Sequence, residues 1–446
     1  MPFDAVAYIN EPRWAHSSLG LERMQALMEL LGSPQGATPA VHVAGTNGKG
    51  STCAFLASML QAAGYRTGLF TSPAIMEFAE RIQVDGRPID AASLAQATLP
   101  VRQAAEAVAR ERGEHPTEFE LMAAVAFEHF KRVGCDIAVI EVGLGGRLDA
   151  TNVVAPTLSV IARIGLDHTA LLGDTLAQVA SEKAGIIKAG VPVVGWPQGP
   201  EAQAVIEARC AELGCPLAVA DLAALRVGAV EADGQGGLVR PFTYRGRPYA
   251  TALLGSYQPA NAAVALEAAE ALGRQGWAIP PAARQQGIAA ARWPGRFEVL
   301  PTPPGGPTFV VDGGHNAQGA AALVDSLADV LAGGDAAALS GAVAFVVGAM
   351  EDKDCAGMLA AIAPMAKRLV AYAPDSPRAL APEALAAAAR AALPPSVPVE
   401  AAPSPAKAVA LACDGAGEGD LVVAFGSLYG VADVKRAWQA RVSAGG

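Results

Sequence analysis

Short apolar runs alternate with longer stretches of helical period along most of the chain. The runs Ala40–Ala44, Thr67–Thr71, Asp136–Val142, Leu158–Ile164 and Val191–Gly195 predict strands, and Gly50–Ala63, Thr117–Val133 and Thr175–Lys188 predict helices among them. That alternation is the pattern of βαβ units around a largely parallel sheet. From about Gly228 to Leu254 the segments become glycine-broken and alternating, as in LVRPFTYRGRPY, which predicts antiparallel strands. A helical run, Gln258–Leu272, follows. Pro and Gly then cluster in WPGRFEVLPTPPGGPTFVV, Trp293–Val311, where few contacts are expected to cross. Beyond it, strand-like FVVDGG, AFVVG, RLVAY and LVVAFG alternate with Ala-rich helices, so a second α/β domain is predicted. The Ala- and Pro-rich stretch Ala379–Ala412 reads as exposed helices and turns.

Composition narrows the class. A chain of 446 residues exceeds what one core usually organises, so two domains are expected, and 52% hydrophobic residues with 17% charged ones supply their cores. A net charge of -10 argues against a nucleic-acid partner held by a basic surface. Cys53, Cys135, Cys210, Cys215, Cys355 and Cys413 form no CxxC pair and have no His at zinc-finger spacing, which reads as reduced thiols in a cytoplasmic protein. The segment MPFDAVAYINEPRW has no basic region followed by an apolar one, and charge, Gly or Pro interrupts the apolar stretches before a membrane-spanning length. A soluble protein is expected.

The first candidate chemistry lies in VHVAGTNGKGSTCAF, Val41–Phe55. Gly45, Thr46, Asn47, Gly48, Lys49, Gly50 and Ser51 depart from the Walker spacing GxxxxGK[ST], because two residues separate Gly45 from Gly48 and Gly50 follows the lysine. The ingredients of a phosphate site are nevertheless there. Glycines let the backbone approach closely, amides converge at a helix start, Lys49 brings a positive charge, and Ser51 or Thr52 brings a hydroxyl. A strand before it and a helix after it are the context such a loop needs.

GTNGKGS resembles the phosphate loop of the Mur ligase superfamily. Further segments resemble its bifunctional dihydrofolate synthase/folylpolyglutamate synthase branch: SLGLERM, TSPAIMEFAERIQVDG, TEFE, EVGLGGRLDATNVV, IGLDHTALLG, EKAGIIK, WPGRFE, DGGHN, MEDKD and GSLYGVADV, in the family's order. The resemblance implies an α/β fold with an N-terminal P-loop ATPase-like domain and a smaller, Rossmann-like C-terminal domain. Boundaries of 1–297 and 298–446 are expected, with substrates in the cleft between them. It implies ATP and Mg2+ as cofactors, dihydropteroate, folates and L-glutamate as substrates, and a monomer. A carboxylate would attack the γ-phosphate, and the amine of L-glutamate would then displace phosphate from the acyl phosphate. A carboxylate acylates poorly because its oxide is a poor leaving group. Activation must therefore come first, with the concentrated negative charge neutralised.

Carried over residue by residue, the resemblance implies metal ligation by Ser72, Glu141, His168 and a carbamylated Lys183, with Asp167 either orienting His168 or capping a helix. It implies ATP contacts at the loop residues 45–51, Asn261, Arg296 and Asp312, and catalytic roles for Lys49, Lys183 and His315. At His315 and Asn316 the alternative readings are a surface histidine and a helix N-cap. For the pterin-bearing substrate it implies Leu19, Thr117, Phe119, Glu120, Leu148 and Asp149. Two positions depart from the family pattern: Ala74 replaces a histidine after Ser-Pro, and Ser18 replaces an aspartate before LGL. Both bear on the acceptor rather than on the reaction type. The alternatives are a monofunctional relative and a nucleotide-binding protein without turnover. RLDATN, GLDHT and EKAGI fit the folate branch better than a peptidoglycan-precursor ligase.

Overall fold

A computed structural model of the chain describes residues 3–12, 20–234, 237–331, 339 and 341–445. Two compact units emerge. The first comprises Met1–Arg226, Phe242–Ala250 and Pro259–Ala291; the second comprises Val227–Pro241, Thr251–Gln258 and Arg292–Gly446.

The first unit is built on an eight-stranded sheet of β1 Ala40–Ala44, β2 Thr67–Phe70, β3 Ile82–Val84, β4 Arg87–Pro88, β5 Ile137–Glu141, β6 Leu158–Ile161, β7 Val193–Gly195 and β8 Leu217–Val219. Their order is β4-β3-β2-β5-β1-β6-β7-β8. The five pairings from β2 to β8 are parallel, while β3 and β4 run antiparallel at one edge. Val43 pairs with Glu141 and Ala44 with Ile161, so β1, β5 and β6 end at one edge of the sheet. Parallel sheets place ligands beyond those carboxyl ends.

β1 and β5 are buried throughout, which explains their uninterrupted apolar sequence. Helix Lys49–Ala62 is buried on nearly every side. Each large side chain such as Phe55 or Leu60, exposed at 0%, contributes about 1.5–3 kcal/mol by burial. Helix Pro281–Ala290 crosses it closely, since a Cβ at Gly287 would fall 2.4 Å from the Met59 Cα.

The middle of the chain carries four short strands, β9 Leu225–Val227, β10 Glu231–Ala232, β11 Leu238–Tyr244 and β12 Arg247–Thr251, with β10 and β11 antiparallel. The second unit holds a six-stranded sheet of β13 Glu298–Leu300, β14 Thr308–Val311, β15 Val343–Gly348, β16 Ala366–Tyr372, β17 Val399–Ala401 and β18 Leu421–Phe425. Its order is β13-β14-β18-β15-β16-β17, parallel except at β13.

The predicted α/β class is observed, and some element ends differ. The helix expected over Thr175–Lys188 is Leu176–Ala184. It stops where Gly185 passes the Arg147 backbone so closely that a Cβ would lie 2.6 Å from its Cα. The strand expected over Leu158–Ile164 ends at Ile161, because the Arg163 carbonyl turns to accept the Thr46 and Asn47 N–H groups at 2.9 and 3.1 Å. A 22-residue helix, Ala91–Arg112, was not expected; Asp90 caps its start, Gly113 ends it in a left-handed conformation, and Pro100 lies inside it. All six cysteines are free thiols.

Candidate active site

The phosphate loop folds as a strand-to-helix turn. β1 ends at Ala44, and helix Lys49–Ala62 begins after Gly48, which has φ +85° and provides no side-chain cap. A helix start without a side-chain cap suits an anion, because the first-turn amides and the helix dipole favour negative charge there. The loop's amides are divided: those of Thr46 and Asn47 are engaged by Arg163 O. Thr46 Oγ1 also donates to Gly165 O at 2.9 Å and accepts from Gly165 N–H at 3.0 Å. The loop is thus fastened to the segment that leads to His168.

Two loop glycines are sterically required. A Cβ at Gly45 would lie 2.8 Å from the Ala162 Cβ, and one at Gly48 would lie 2.5 Å from Asn261 Oδ1. Asn261, from helix Gln258–Gly273, is therefore packed directly on the loop.

Glu141 ends β5, and its side chain is nearly fully buried. Its Oε1 stands 4.0 Å from Lys49 Nζ, and its Oε2 accepts the Ser72 N–H at 3.1 Å. Lys49 Nζ also donates to Thr46 O at 3.4 Å. Three sequence-predicted residues, Lys49, Ser72 and Glu141, are therefore joined by direct contacts. The next turn of the Ser72 loop is held by Glu80, whose Oε1 accepts the Ile75 and Met76 N–H groups. Ala74 is half-buried in that loop.

His168 has φ +51° and caps the short helix Thr169–Leu172; its N–H donates to Asp167 Oδ1 at 2.9 Å, and the imidazole Nε2 stands 4.0 Å from the same oxygen. Asp167 thus serves the His168 backbone first.

Lys183 is 3% exposed. Burial, and then the Lys49 charge, push its amine down to about 7, against the opposite pull of Asp167, Asp149 and Glu182. A buried amine that is partly neutral near neutrality is nucleophilic, unlike a solvated lysine. Glu141 and Ser72 carry the hard oxygen donors that suit Mg2+. A cationic lysine does not suit such a site, whereas its carbamate would. Among the described residues, no group of three or more His, Cys, Asp or Glu converges as a metal cluster.

The residues expected at the pterin-bearing substrate are occupied in packing. Thr117 and Glu120 form a capping box on helix Glu118–Val133, and Glu120 Oε2 also accepts Arg23 Nε–H at 2.8 Å. The Phe119 ring lies against Gly143, where a Cβ would come within 2.4 Å of it, and Arg81 sits 5.8 Å from its centroid. Asp149 is buried and accepts the Leu144 and Thr151 N–H groups at 2.8 and 3.0 Å and the Thr151 hydroxyl. Its carboxylate organises its own loop, and burial pushes its pKa up. Leu148 is half-buried, and Leu19, like Ser18, lies outside the described residues.

In the second unit, Asp312 follows β14 and is 3% exposed. A Cβ at Gly313 would fall 2.9 Å from Arg296 Nη1, so Arg296 lies along the same backbone. His315 Nδ1 is 2.9 Å from Gly313 O, and Asn316 Oδ1 accepts the Gly319 N–H at 2.7 Å, which makes it the cap of helix Ala317–Leu331. No sequence signal marks Glu80, which holds the Ser72 loop, or Tyr257, whose hydroxyl donates to Asp312.

Two family models match the chain, Mur ligase middle domain over residues 43–269 and Mur ligase, glutamate ligase domain over residues 295–428. The chain is 37% identical to folylpolyglutamate synthase of Lacticaseibacillus casei over 390 residues, covering 85% of this chain and 87% of that one. It is also 37% identical to dihydrofolate synthase/folylpolyglutamate synthase of Bacillus subtilis, covering 84% and 86%. The chain belongs to the dihydrofolate synthase/folylpolyglutamate synthase family of the Mur ligases. The fold agrees with that family. A Mycobacterium tuberculosis folylpolyglutamate synthase solved with ADP matches with TM-score 0.85 and 32% identity over 98% of this chain and 99% of that one. E. coli FolC, solved in complex with DHPP and ADP, matches with TM-score 0.82 and 28% identity over 98% of both chains. The family is one of ATP-dependent ligases.

Proposed function

We propose that this protein joins L-glutamate to dihydropteroate, giving dihydrofolate, and to the glutamyl chains of folates, in both cases through an acyl phosphate. The observation that carries this reading is the contact of Lys49 with Glu141 beside the uncapped start of helix Lys49–Ala62. It supplies a phosphate cradle, a cation and an acidic residue at the end of one sheet.

In the first step an oxygen of the acceptor carboxylate attacks the γ-phosphorus of ATP, and the bond to the ADP oxygen breaks. The glutamate amine then attacks the acyl carbon, the bond to phosphate breaks, and the amine loses a proton. Lys49 neutralises charge on the phosphoryl group in flight. Gly45, Thr46, Asn47, Gly48, Gly50 and Ser51 cradle the phosphates, and Asn261, Arg296 and Asp312 contact the nucleotide. Ser72, Glu141, His168 and carbamylated Lys183 would hold Mg2+, which supplies charge neutralisation when bound. His315 is assigned a catalytic role in this reading.

Thr117, Phe119, Glu120, Leu148 and Asp149 shape the acceptor side, Glu120 and Asp149 through the loops they hold. In this reading residues 1–297 form an ATP-binding domain and 298–446 a glutamate-ligase domain, working as a cytoplasmic monomer; this division by sequence differs from the compact units, the second of which also takes in Val227–Pro241, Thr251–Gln258 and the chain from Arg292. No helix among the described residues is long and apolar enough to cross a membrane. The test offers dihydropteroate and tetrahydrofolate separately with ATP, Mg2+ and L-glutamate, and identifies products by mass. Product from both supports the bifunctional reading; product from one acceptor selects a monofunctional enzyme, and ATP binding without product selects a non-catalytic protein.

A further inference from the structure

Tyr257 enters the second unit as a half-buried side chain with one polar atom, and its position is built by its neighbours. A Cβ at Gly255 would lie 2.9 Å from the Tyr257 ring, so only a glycine lets the ring fold back on its own segment. Ser256 N–H donates to Ser326 Oγ at 3.0 Å, and Ser326 Oγ donates to Ala322 O at 2.7 Å. Arg240 Nε–H donates to Leu254 O at 2.6 Å. The segment is thereby held at two points, Leu254 and Ser256, and the phenol reaches Asp312.

Asp312 collects three donors. Oδ2 accepts from Tyr257 OH at 3.0 Å and from Phe297 N–H at 2.8 Å, and Oδ1 accepts from Gly314 N–H at 2.7 Å. Two of these donors are amides of the neighbouring backbone. The third comes from a segment remote in sequence that runs directly into helix Gln258–Gly273, which carries Asn261. A buried carboxylate is oriented by its donors, and a donor removed leaves an acceptor site unfilled.

We propose that Tyr257 is a positioning residue for nucleotide binding: its hydroxyl sets the orientation of Asp312, and through Asp312 the nucleotide contact formed with Arg296. This rests on the reading of Asp312 as a nucleotide contact. Tyr257 acts through Asp312 and touches no reacting atom. Its effect belongs in ATP affinity and not in acceptor affinity.

The test compares KM values for ATP, acceptor and L-glutamate in the wild type, Tyr257→Phe, Asp312→Asn and the double variant, with thermal midpoints recorded for each. Loss of one hydrogen bond to a charged acceptor predicts a KM for ATP raised about tenfold in Tyr257→Phe. The KM values for acceptor and glutamate stay at wild-type level, and little further loss appears when Asp312→Asn is already present. A KM for ATP unchanged in Tyr257→Phe, while Asp312→Asn raises it, overturns the positioning role alone. If Asp312→Asn leaves it unchanged too, the nucleotide-contact reading fails first. A general fall in midpoint with all three KM values raised assigns Tyr257 to stability and also overturns the proposal. Hydrogen exchange on the wild-type full chain gives a second readout that needs no variant. ADP is expected to slow exchange in residues 254–258 together with 312–316, and protection of 312–316 alone contradicts the inference.

Discussion

Lys49 Nζ stands 4.0 Å from Glu141 Oε1, which brings the cation that opens a helix against the carboxylate that ends a strand. The pairing register of β1 with β5 puts Val43 opposite Glu141, so the distance follows from the sheet itself. A rigid scaffold is what a charge-stabilising site needs. Glu141→Gln keeps the shape and the Ser72 N–H bond but removes the charge. Glutamate-dependent ADP release is expected to fall about 100- to 1,000-fold, the range for loss of one preorganised electrostatic group. Turnover at the wild-type rate would remove Glu141 from the site.

Lys183 offers a prediction about modification. With its amine held down to about 7, the neutral form that attacks carbon dioxide is abundant above that pH and lost below it. Labelled bicarbonate is expected to give a carbamate carbon resonance in the wild type that is absent from Lys183→Met, and to fade as pH falls below about 7. Identical spectra for the two proteins would leave Lys183 as a plain buried amine.

Gly48→Ala tests the loop geometry. Its φ of +85° costs an L-residue roughly 1–2 kcal/mol, and the new methyl meets Asn261 Oδ1. The variant is expected to lose stability and to bind ADP at least about tenfold more weakly, in line with displaced phosphate contacts. Adding Asn261→Ala should return part of the stability, because the collision is then removed. A double variant no more stable than Gly48→Ala would place the strain elsewhere.

His42 predicts an acid limit. It is buried within β1, with Nε2 2.8 Å from Thr151 Oγ1, and burial followed by the Lys188 charge lowers its pKa from 6.5 to about 3. Between those values the unfolded chain holds a proton that the folded chain refuses, so stability present above pH 6.5 is lost as pH falls towards 3. Relative to His42→Gln, the wild type should lose about 2 kcal/mol more of unfolding free energy between pH 7 and pH 5. Urea titrations at the two pH values measure this, and parallel losses in both proteins would contradict it.

Much of the architecture was legible because buried parallel strands must be apolar and their connecting helices periodic. The predicted strands Ala40–Ala44 and Asp136–Val142 were observed to within a residue at either end. Helix ends set by tertiary contact were not legible, as at Ala184, where the stop depends on Arg147 across a loop. Helix Ala91–Arg112 went unseen because an Ala-rich segment with an internal proline carries a weak periodic signal. In the candidate site, Lys49, Ser72 and Glu141 were readable as a group only through the motifs around them. Asp149 shows the limit: its sequence context suggests a ligand contact, while its burial and three local donors show a carboxylate that builds its loop.

The central claim is that ATP phosphorylates the acceptor carboxylate and that glutamate then displaces the phosphate, and an oxygen-transfer experiment tests it most directly. Dihydropteroate carrying 18O in its carboxylate is turned over with ATP, Mg2+ and L-glutamate, and the released phosphate is examined by mass spectrometry. The account predicts one carboxylate oxygen in each phosphate released, with dihydrofolate formed in equal amount. Unlabelled phosphate accompanying ADP release would contradict it.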